Sequence, residues 1–285
     1  MLILCADDYA LTDGVSRAIG ELAAARRLFA TSVLVTAQHW PAAAARLRAH
    51  RPHLAIGLHL DLTLGRPLGS MPRLAPNGQF PRRNVLIARA LTGAIDPREI
   101  AGEIERQLDA FEQGLGFPPD HVDGHEHMHV LSGIRQPFLE IVARRYPKLK
   151  PLVRDPADRV QAIATRAIGP RFKAAVVAAL AARFGAHARR LGLPTNEGFS
   201  GFSHFDPRRS YAAELTDAMQ RLGPRHVLMC HPGHPDADVA SLDPVAECRR
   251  LEYEALMRDT TLPARIWRPQ RAPDGPPIDW SRAEG

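Results

Sequence analysis

Asp120-His121-Val122-Asp123-Gly124-His125-Glu126-His127-Met128-His129 packs four histidines and three carboxylates into ten residues. In a β-strand alternate side chains share a face. His121, Asp123, His125, His127 and His129 would then all point one way. Such a stripe is too polar to face a core and too ordered for a solvated loop. Neutral imidazoles and carboxylates are the usual ligands of zinc and similar ions. An aqueous cleft holding a cation accounts for the pattern; an incidental His-rich tract is the plainer alternative.

Working outward, other apolar runs end in polar residues. Leu2–Ala6 reads as a strand buried on both faces and stops at Asp7-Asp8-Tyr9. Thr12 or Asp13 can cap the helix after it. Thr31–Thr36 is a second strand, and Pro41 opens an alanine-rich helix. Leu54–Leu60 is a third strand, broken by Gly57 and ending on His59 and Asp61. The His-rich strand is the fourth, preceded by a helix from Pro97. Leu152–Arg154, part of Asn196–Phe205 and His226–Cys230 continue the series, and Ala264–Trp267 is a last candidate. Residues 64–82 form a long loop. A helix is expected from about Pro244 to Arg258.

This alternation implies a parallel sheet of seven or eight strands with helical crossovers. The polar clusters sit at the C-terminal ends of strands one, three, four and seven. In a closed (β/α) barrel those ends share one face, where active sites are built. An open doubly wound sheet brings the first and seventh strands together less easily. The expected organisation is a single α/β domain over 1–268, with a helical insertion at about 158–192 broken by Gly169-Pro170. A polar, Pro-rich tail at 269–285 is expected to fray.

The chain of 285 residues carries a formal charge of +6. Its arginines are scattered and form no basic run or nucleic-acid module, so no nucleic-acid partner is expected. Weak contact with an anionic membrane surface or an acidic ligand stays open. Cys5, Cys230 and Cys248 form no CxxC and no even framework. With no leader and no apolar run of spanning length, a reducing cytoplasm is the expected location. No G-x-S-x-G, Walker loop or GxGxxG appears.

Asp7-Asp8, His59, His125 and His231 form the chemical constellation. Adjacent aspartates on a regular strand cannot both point the same way, so one can ligate a cation while the other sits beside it. Three protein ligands with an open position are the usual catalytic arrangement, and one Asp with two His meets that count.

The chain resembles the YdjC/ChbG family of carbohydrate deacetylases, which includes hopanoid-associated deacetylases. The matching pieces are Ala6–Leu11, Ile56–Thr63, His121–His129 and Cys230-His231-Pro232-Gly233. Tyr9 and Ala10 stand where the family commonly has Phe and Gly. The resemblance implies a distorted TIM-like barrel that removes N-acetyl groups from amino sugars with one divalent metal ion, Mg2+ or Zn2+. It implies Asp8, His59 and His125 as metal ligands, Asp7 as the base and His231 as the acid. Asp61, Asp123, His127, His129 and Arg154 are candidates to orient ligands or contact substrate; Arg154 in particular can hold Asp7 ionised. The expected partner is an N-acetylated sugar, oligosaccharide or glycolipid-linked, and a homodimer is left open. A two-metal phosphoesterase and a non-catalytic sugar-binding protein are the competing readings.

Overall fold

The computed structural model describes residues 1–238, 246–269, 271–272, 275–280 and 282. The N-terminal apolar run forms β1 (Leu2–Tyr9), buried along its whole length. It is followed by β2 (Ala30–Val33), β3 (Ala55–Leu60), β4 (His121–Gly124), β5 (Leu152–Val153), β6 (Gly198–Ser200) and β7 (His226–Cys230). All neighbours pair in parallel, in the order β5-β4-β3-β2-β1-β7-β6. The sheet curls until its two edges meet. Val153 bridges Thr195 in parallel, its N–H donating to the Pro194 carbonyl at 2.8 Å. The Asn196 side chain ties the same seam. It accepts from the Asp155 N–H at 2.7 Å and donates to the carbonyls of Asp155 and Gly198 at 2.8 and 2.9 Å. One bridge closes the ring, so the barrel is distorted, and the open-sheet alternative is excluded.

The alternation along β1 shows which side is inside. Leu2, Leu4 and Ala6 belong to the large apolar cluster shared with the helices. Ile3 and Cys5 belong to a second cluster with Ala30, Ala55, Leu152, Phe199, Val227 and Met229, drawn from six of the seven strands. That cluster fills the barrel interior. Gly57 does not break β3. It lies opposite His121, and a Cβ there would run into the His121 ring.

Ten helices are described: α1 (Asp13–Ala24), α2 (Trp40–Arg48), α3 (Arg83–Leu91), α4 (Pro97–Leu115), α5 (Arg135–Arg145), α6 (Val160–Thr165), α7 (Arg171–Leu180), α8 (Phe184–Arg190), α9 (Tyr211–Ala218) and α10 (Ala246–Arg258). Thr12 caps α1 by accepting from the Val15 N–H at 3.2 Å. α4 shows its sequence signals plainly: Asp96 at the N-cap, Pro97 at the first turn, a buried Ile100–Ile104–Leu108–Phe111 stripe, and Gly116 at φ 81° beyond its end. Residues 158–192 hold α6, α7 and α8, with the break at Gly169-Pro170. Among the described residues no helix is long and apolar enough to cross a membrane.

Several expectations fail. α3 carries no signal that set it apart from the loop before it. Ala264–Trp267 is not a strand: Leu262–Ala264 form a 3-10 turn, and only the Trp267 N–H reaches β1, at the Leu2 carbonyl (2.7 Å). Pro263 and Pro269 flank this segment and supply no ladder donors. The helix expected from Pro244 begins at Ala246 among the described residues; 244 and 245 lie outside them. The described part of the tail is docked, not frayed. Trp280 is 1% exposed in the barrel-interior cluster, and its Nε1 donates to the Asp120 carbonyl at 2.5 Å. Arg271 donates to the carbonyls of Arg51 and Leu54 and pairs with the Asp120 carboxylate. Asp120 starts β4, so the tail plugs the N-terminal end of the barrel, opposite the polar clusters.

The Asn196 seam generates a stability prediction. Asn196→Ala leaves the buried Asp155 N–H and two carbonyls without their partner, and should cost about 2 kcal/mol in urea unfolding with an unchanged m-value. A loss below about 0.5 kcal/mol would mean the barrel edges are held by other contacts.

Candidate metal centre

The site is built on a break in a strand. The β1–β2 register shifts between Ala6 and Tyr9; within that bulge Asp8 takes φ 68°, and Ala10, just beyond it, takes φ 76°. A bulge re-aims side chains. Here it defeats the strand alternation, which would put Asp7 and Asp8 on opposite faces. Both carboxylates approach one imidazole: His59 Nε2 lies 3.4 Å from Asp8 Oδ1 and 4.0 Å from Asp7 Oδ2. Left-handed backbone at non-glycine residues costs about 1–3 kcal/mol each. At Ala10 the positive φ is the physical reason a glycine suits the position better.

β3 and β4 bring the remaining groups level, because His59 pairs in register with Asp123. His59 Nδ1 bonds Asp123 Oδ1 at 2.5 Å, which leaves Nε2 turned to the aspartates. The other Asp123 oxygen accepts from Ser32 Oγ at 2.6 Å and pairs with Arg154. Arg154, just past β5 and 1% exposed, also grips Asp7 through both terminal nitrogens at 2.9–3.0 Å. Asp8 is held from the other side, by His125 Nδ1 at 3.0 Å and by Arg249 of α10 at 2.6 Å.

The His-rich stretch reaches the site only in part. β3 ends at Leu60, which pairs with Gly124. With no neighbour to continue the ladder, the chain leaves the sheet as a 3-10 turn, His125–Val130, with Glu126 and His127 at φ 52° and 62°. The one-face reading of five residues is therefore wrong. His121 lies deeper, bonded to Ser32 Oγ at 3.1 Å, and burial pushes its imidazole down to about 4. His127 packs edge-on against Phe199 and Phe202. His129 sits among Phe138 and Phe184, with Nε2 on the Arg154 carbonyl at 2.9 Å. It supports the backbone of Arg154 and does not line the centre. Asp61 organises the loop after β3, accepting from Thr36 Oγ1 and from the N–H groups of Thr63 and Leu64 at 2.8–3.0 Å.

His231 follows β7 one residue past the Ala6–Cys230 pair. Its N–H donates to Glu252 at 2.5 Å, its ring stands edge-on to Phe205, and its buried Nδ1 has no hydrogen-bond partner among the described residues. Sequence reasoning missed Ser32, Arg249 and Glu252. Ser32 was detectable as one of two adjacent hydroxyls, with Thr31, inside a buried strand. Arg249 and Glu252 sit on an ordinary charged helix and gave no signal.

Three donor groups among the described residues could hold a cation: Asp8–His59–His125, Asp7–His59–Asp123 and Cys5–His121–Asp123. The last two include Asp123, whose oxygens are already committed to His59, Ser32 and Arg154, with the Arg154 charge beside it. Asp8–His59–His125 has ligand atoms within 4.8 Å of one another, and Arg249 bonds Asp8 through Oδ2, the oxygen that does not face His59 and His125. It is also the set expected from the sequence. Electrostatics agree. Three converging carboxylates (Asp7, Asp8, Asp123) face two guanidiniums (Arg154, Arg249), leaving one net negative charge. Burial opposes a charged His59, yet Asp123 and Asp7 outweigh it and raise the imidazole to about 10. Burial alone would raise the Asp8 carboxyl, but Arg249 and His125 hold it well below the ordinary value. This is a pocket that demands a positive charge.

Barrel and site together define a (β/α) scaffold with a carboxylate–imidazole centre at the C-terminal ends of its strands. The sequence profile of the YdjC-like protein family matches residues 1–264. A carbohydrate deacetylase of Geobacillus stearothermophilus is 30% identical over 269 residues, covering 93% of this chain and 91% of that protein. One of Homo sapiens is 30% identical over 298 residues, covering 96% and 88%. A chitooligosaccharide deacetylase of Yersinia pestis (strain Pestoides F) is 36% identical over 148 residues, covering 50% and 56%. The chain belongs to the YdjC-like family. The crystal structure of a provisionally named cellobiose-phosphate cleavage protein from Enterococcus faecalis V583 has the same fold, with a TM-score of 0.70 at 21% identity, covering 92% and 91% of the two chains.

Arg154 makes a testable pH signature. Burial would raise the Asp123 carboxyl, and Arg154 and His59 reverse that and depress it strongly. Arg154→Met leaves Asp7 and Asp123 facing each other uncompensated, at a cost of about 3–5 kcal/mol at pH 7. Their folded-state pKa values then rise above the ordinary 3.8. A raised carboxyl costs stability at high pH and stops doing so as pH falls through its value. Urea unfolding should show the gap to wild type narrowing from pH 7 to pH 4. A gap independent of pH would assign Arg154 a packing role alone.

Proposed function

We propose that the protein is a metal-dependent carbohydrate N-deacetylase, with Asp8, His59 and His125 holding one divalent cation, Asp7 as the base and His231 as the acid. The observation that carries this reading is the β1 bulge, which turns two adjacent carboxylates onto the free Nε2 of His59. The names of the curated relatives supply the reaction class.

Asp8, His59 and His125 would hold a divalent cation, and such an ion would supply polarisation of an acetamide carbonyl and acidification of water toward neutrality. The chain's own residues do the rest. Asp123 fixes His59 with its Nδ1 bonded, so that Nε2 carries the ligating lone pair. Asp7 takes the proton of the attacking water. Burial raises its carboxyl above the ordinary value although Arg154 opposes the shift, which moves a base toward its working pH. Arg154 keeps both Asp7 oxygens at fixed positions. An amine cannot leave as an anion, so it needs a proton, and His231 is placed across from Asp7 on the neighbouring strand. Burial pushes the His231 imidazole well below its ordinary value, so it starts neutral and serves as the acid by passing on a proton that it takes up during the reaction.

The two-metal phosphoesterase gains nothing from this geometry, since Arg154 fills the space between Asp7 and Asp123 where a second ion would sit.

The roles separate by measurement. Asp7→Asn should retain one metal ion per chain by elemental analysis and lose at least about 100-fold in acetate release from N-acetylated amino sugars. His59→Ala and His125→Ala should lose the ion itself. Undiminished turnover by Asp7→Asn would remove Asp7 as the base, and two ions per chain would favour the phosphoesterase.

A further inference from the structure

The segment from 158 to 192 showed no chemical pattern in the sequence, yet α7 behaves oddly for a surface helix. It turns Phe172 outward, 83% exposed, and Lys173 inward, half-buried. Lysines ordinarily keep the ammonium in water. Lys173 Nζ instead lies 4.7 Å from the Phe205 ring centre and 5.9 Å from that of Phe202. Among the described residues it has no ion-pair partner. Its charge is felt at His127 and His231.

The two phenylalanines link it to the metal centre. Phe205 meets the His231 ring at 5.4 Å, and Phe202 meets His127 at 5.5 Å. Phe205 is held at φ 53°, with its N–H on Ser203 Oγ at 3.0 Å. A bulky side chain in left-handed backbone is a strained placement. His127 is 8% exposed and its Nδ1 has no hydrogen-bond partner among the described residues. Beside the proposed acid there is thus a pair of aromatic rings, an ammonium over them and, among the described residues, a buried ring nitrogen lacking a bond. Apolar walls with a few convergent polar groups are what small-molecule sites present. A pyranose matches, with a C–H face for the rings and hydroxyls for the donors.

We propose that Lys173, Phe205 and Phe202, with His127, form the subsite for the uncharged pyranose ring that carries the scissile acetamide. The sugar's hydroxyls accept from Lys173, whose ammonium is held over the Phe205 and Phe202 rings. The proposal rests on the deacetylase reading for the reaction and adds which residues select the sugar. It makes α7 a part of the substrate site and Lys173 a specificity residue.

The test uses the full-length, metal-loaded protein. Lys173→Met keeps the stem and loses the donors. For N,N′-diacetylchitobiose, KM should rise about 10-fold with a smaller change in kcat. The preference for that sugar over 4-nitroacetanilide, an acetamide without a sugar, should fall by the same factor. Lys173→Arg should recover part of the loss, and Phe205→Leu should reproduce it. Calorimetric titration of the sugar into Asp7→Asn, with and without Lys173→Met, reads binding without turnover and should weaken about 10-fold. If the wild type releases acetate while KM, preference and affinity are unmoved by Lys173→Met and Phe205→Leu, the subsite is overturned and the deacetylase stands. If affinity for the sugar falls as expected but the wild type releases no acetate, the subsite stands and the deacetylase reading falls.

Discussion

Arg154 between Asp7 and Asp123 is the interaction on which the rest of the centre depends. Two carboxylates buried in one cavity would repel each other and take up protons. A guanidinium with a planar fork can bond both at once. It leaves Asp8 and the Nε2 of His59 outside its reach, turned toward a different point. Burial of these charges is costly, and such networks are weak sources of stability. What the network secures is position: one carboxylate locked, one histidine tautomer fixed, one group of donors facing a common point.

The bulge in β1 and the closure of the sheet serve the same end. A regular strand would have delivered one aspartate to the centre and the other to the helices. An open sheet would have left Arg154, on an edge strand, far from β1. With the seam at Val153 and Thr195 closed, β5 lies across the interior from β1, and Arg154, the residue after it, can span the ring. The plug of Trp280 and Arg271 at the other end seals the interior against water. The C-terminal end is then the open end, where the polar side chains of β1, β3, β4 and β7 collect.

The helices between β5 and β6 follow from this geometry. β5 has two residues and β6 three, so neither buries a crossover of ordinary length. α6, α7 and α8 fill the space instead, and α7 brings a lysine over the aromatic rings beside His231. That placement links the least legible part of the sequence to the most chemical part of the fold.

The sequence by itself determined the parallel α/β class and most element positions, and it singled out Asp7, Asp8, His59, His125 and His231 as the candidate site. Local rules suffice there: buried parallel strands read as apolar runs, caps and prolines mark helix starts, and ligand chemistry limits which residues can hold a cation. It could not place His127 and His129, because whether a strand continues past Gly124 depends on whether its neighbour does. It gave no warning of Arg249, Glu252 or Lys173, since a charged residue on a helix looks the same whether it faces water or a buried carboxylate. The tail beyond residue 268 looked idle for the same reason. Only the closed barrel offered Trp280 an apolar interior and Arg271 a buried carboxylate, and only the tertiary structure decided that Asp7 and Asp8 both approach the Nε2 of His59, because the bulge that turns them lies in the pairing of two strands and not in either one alone.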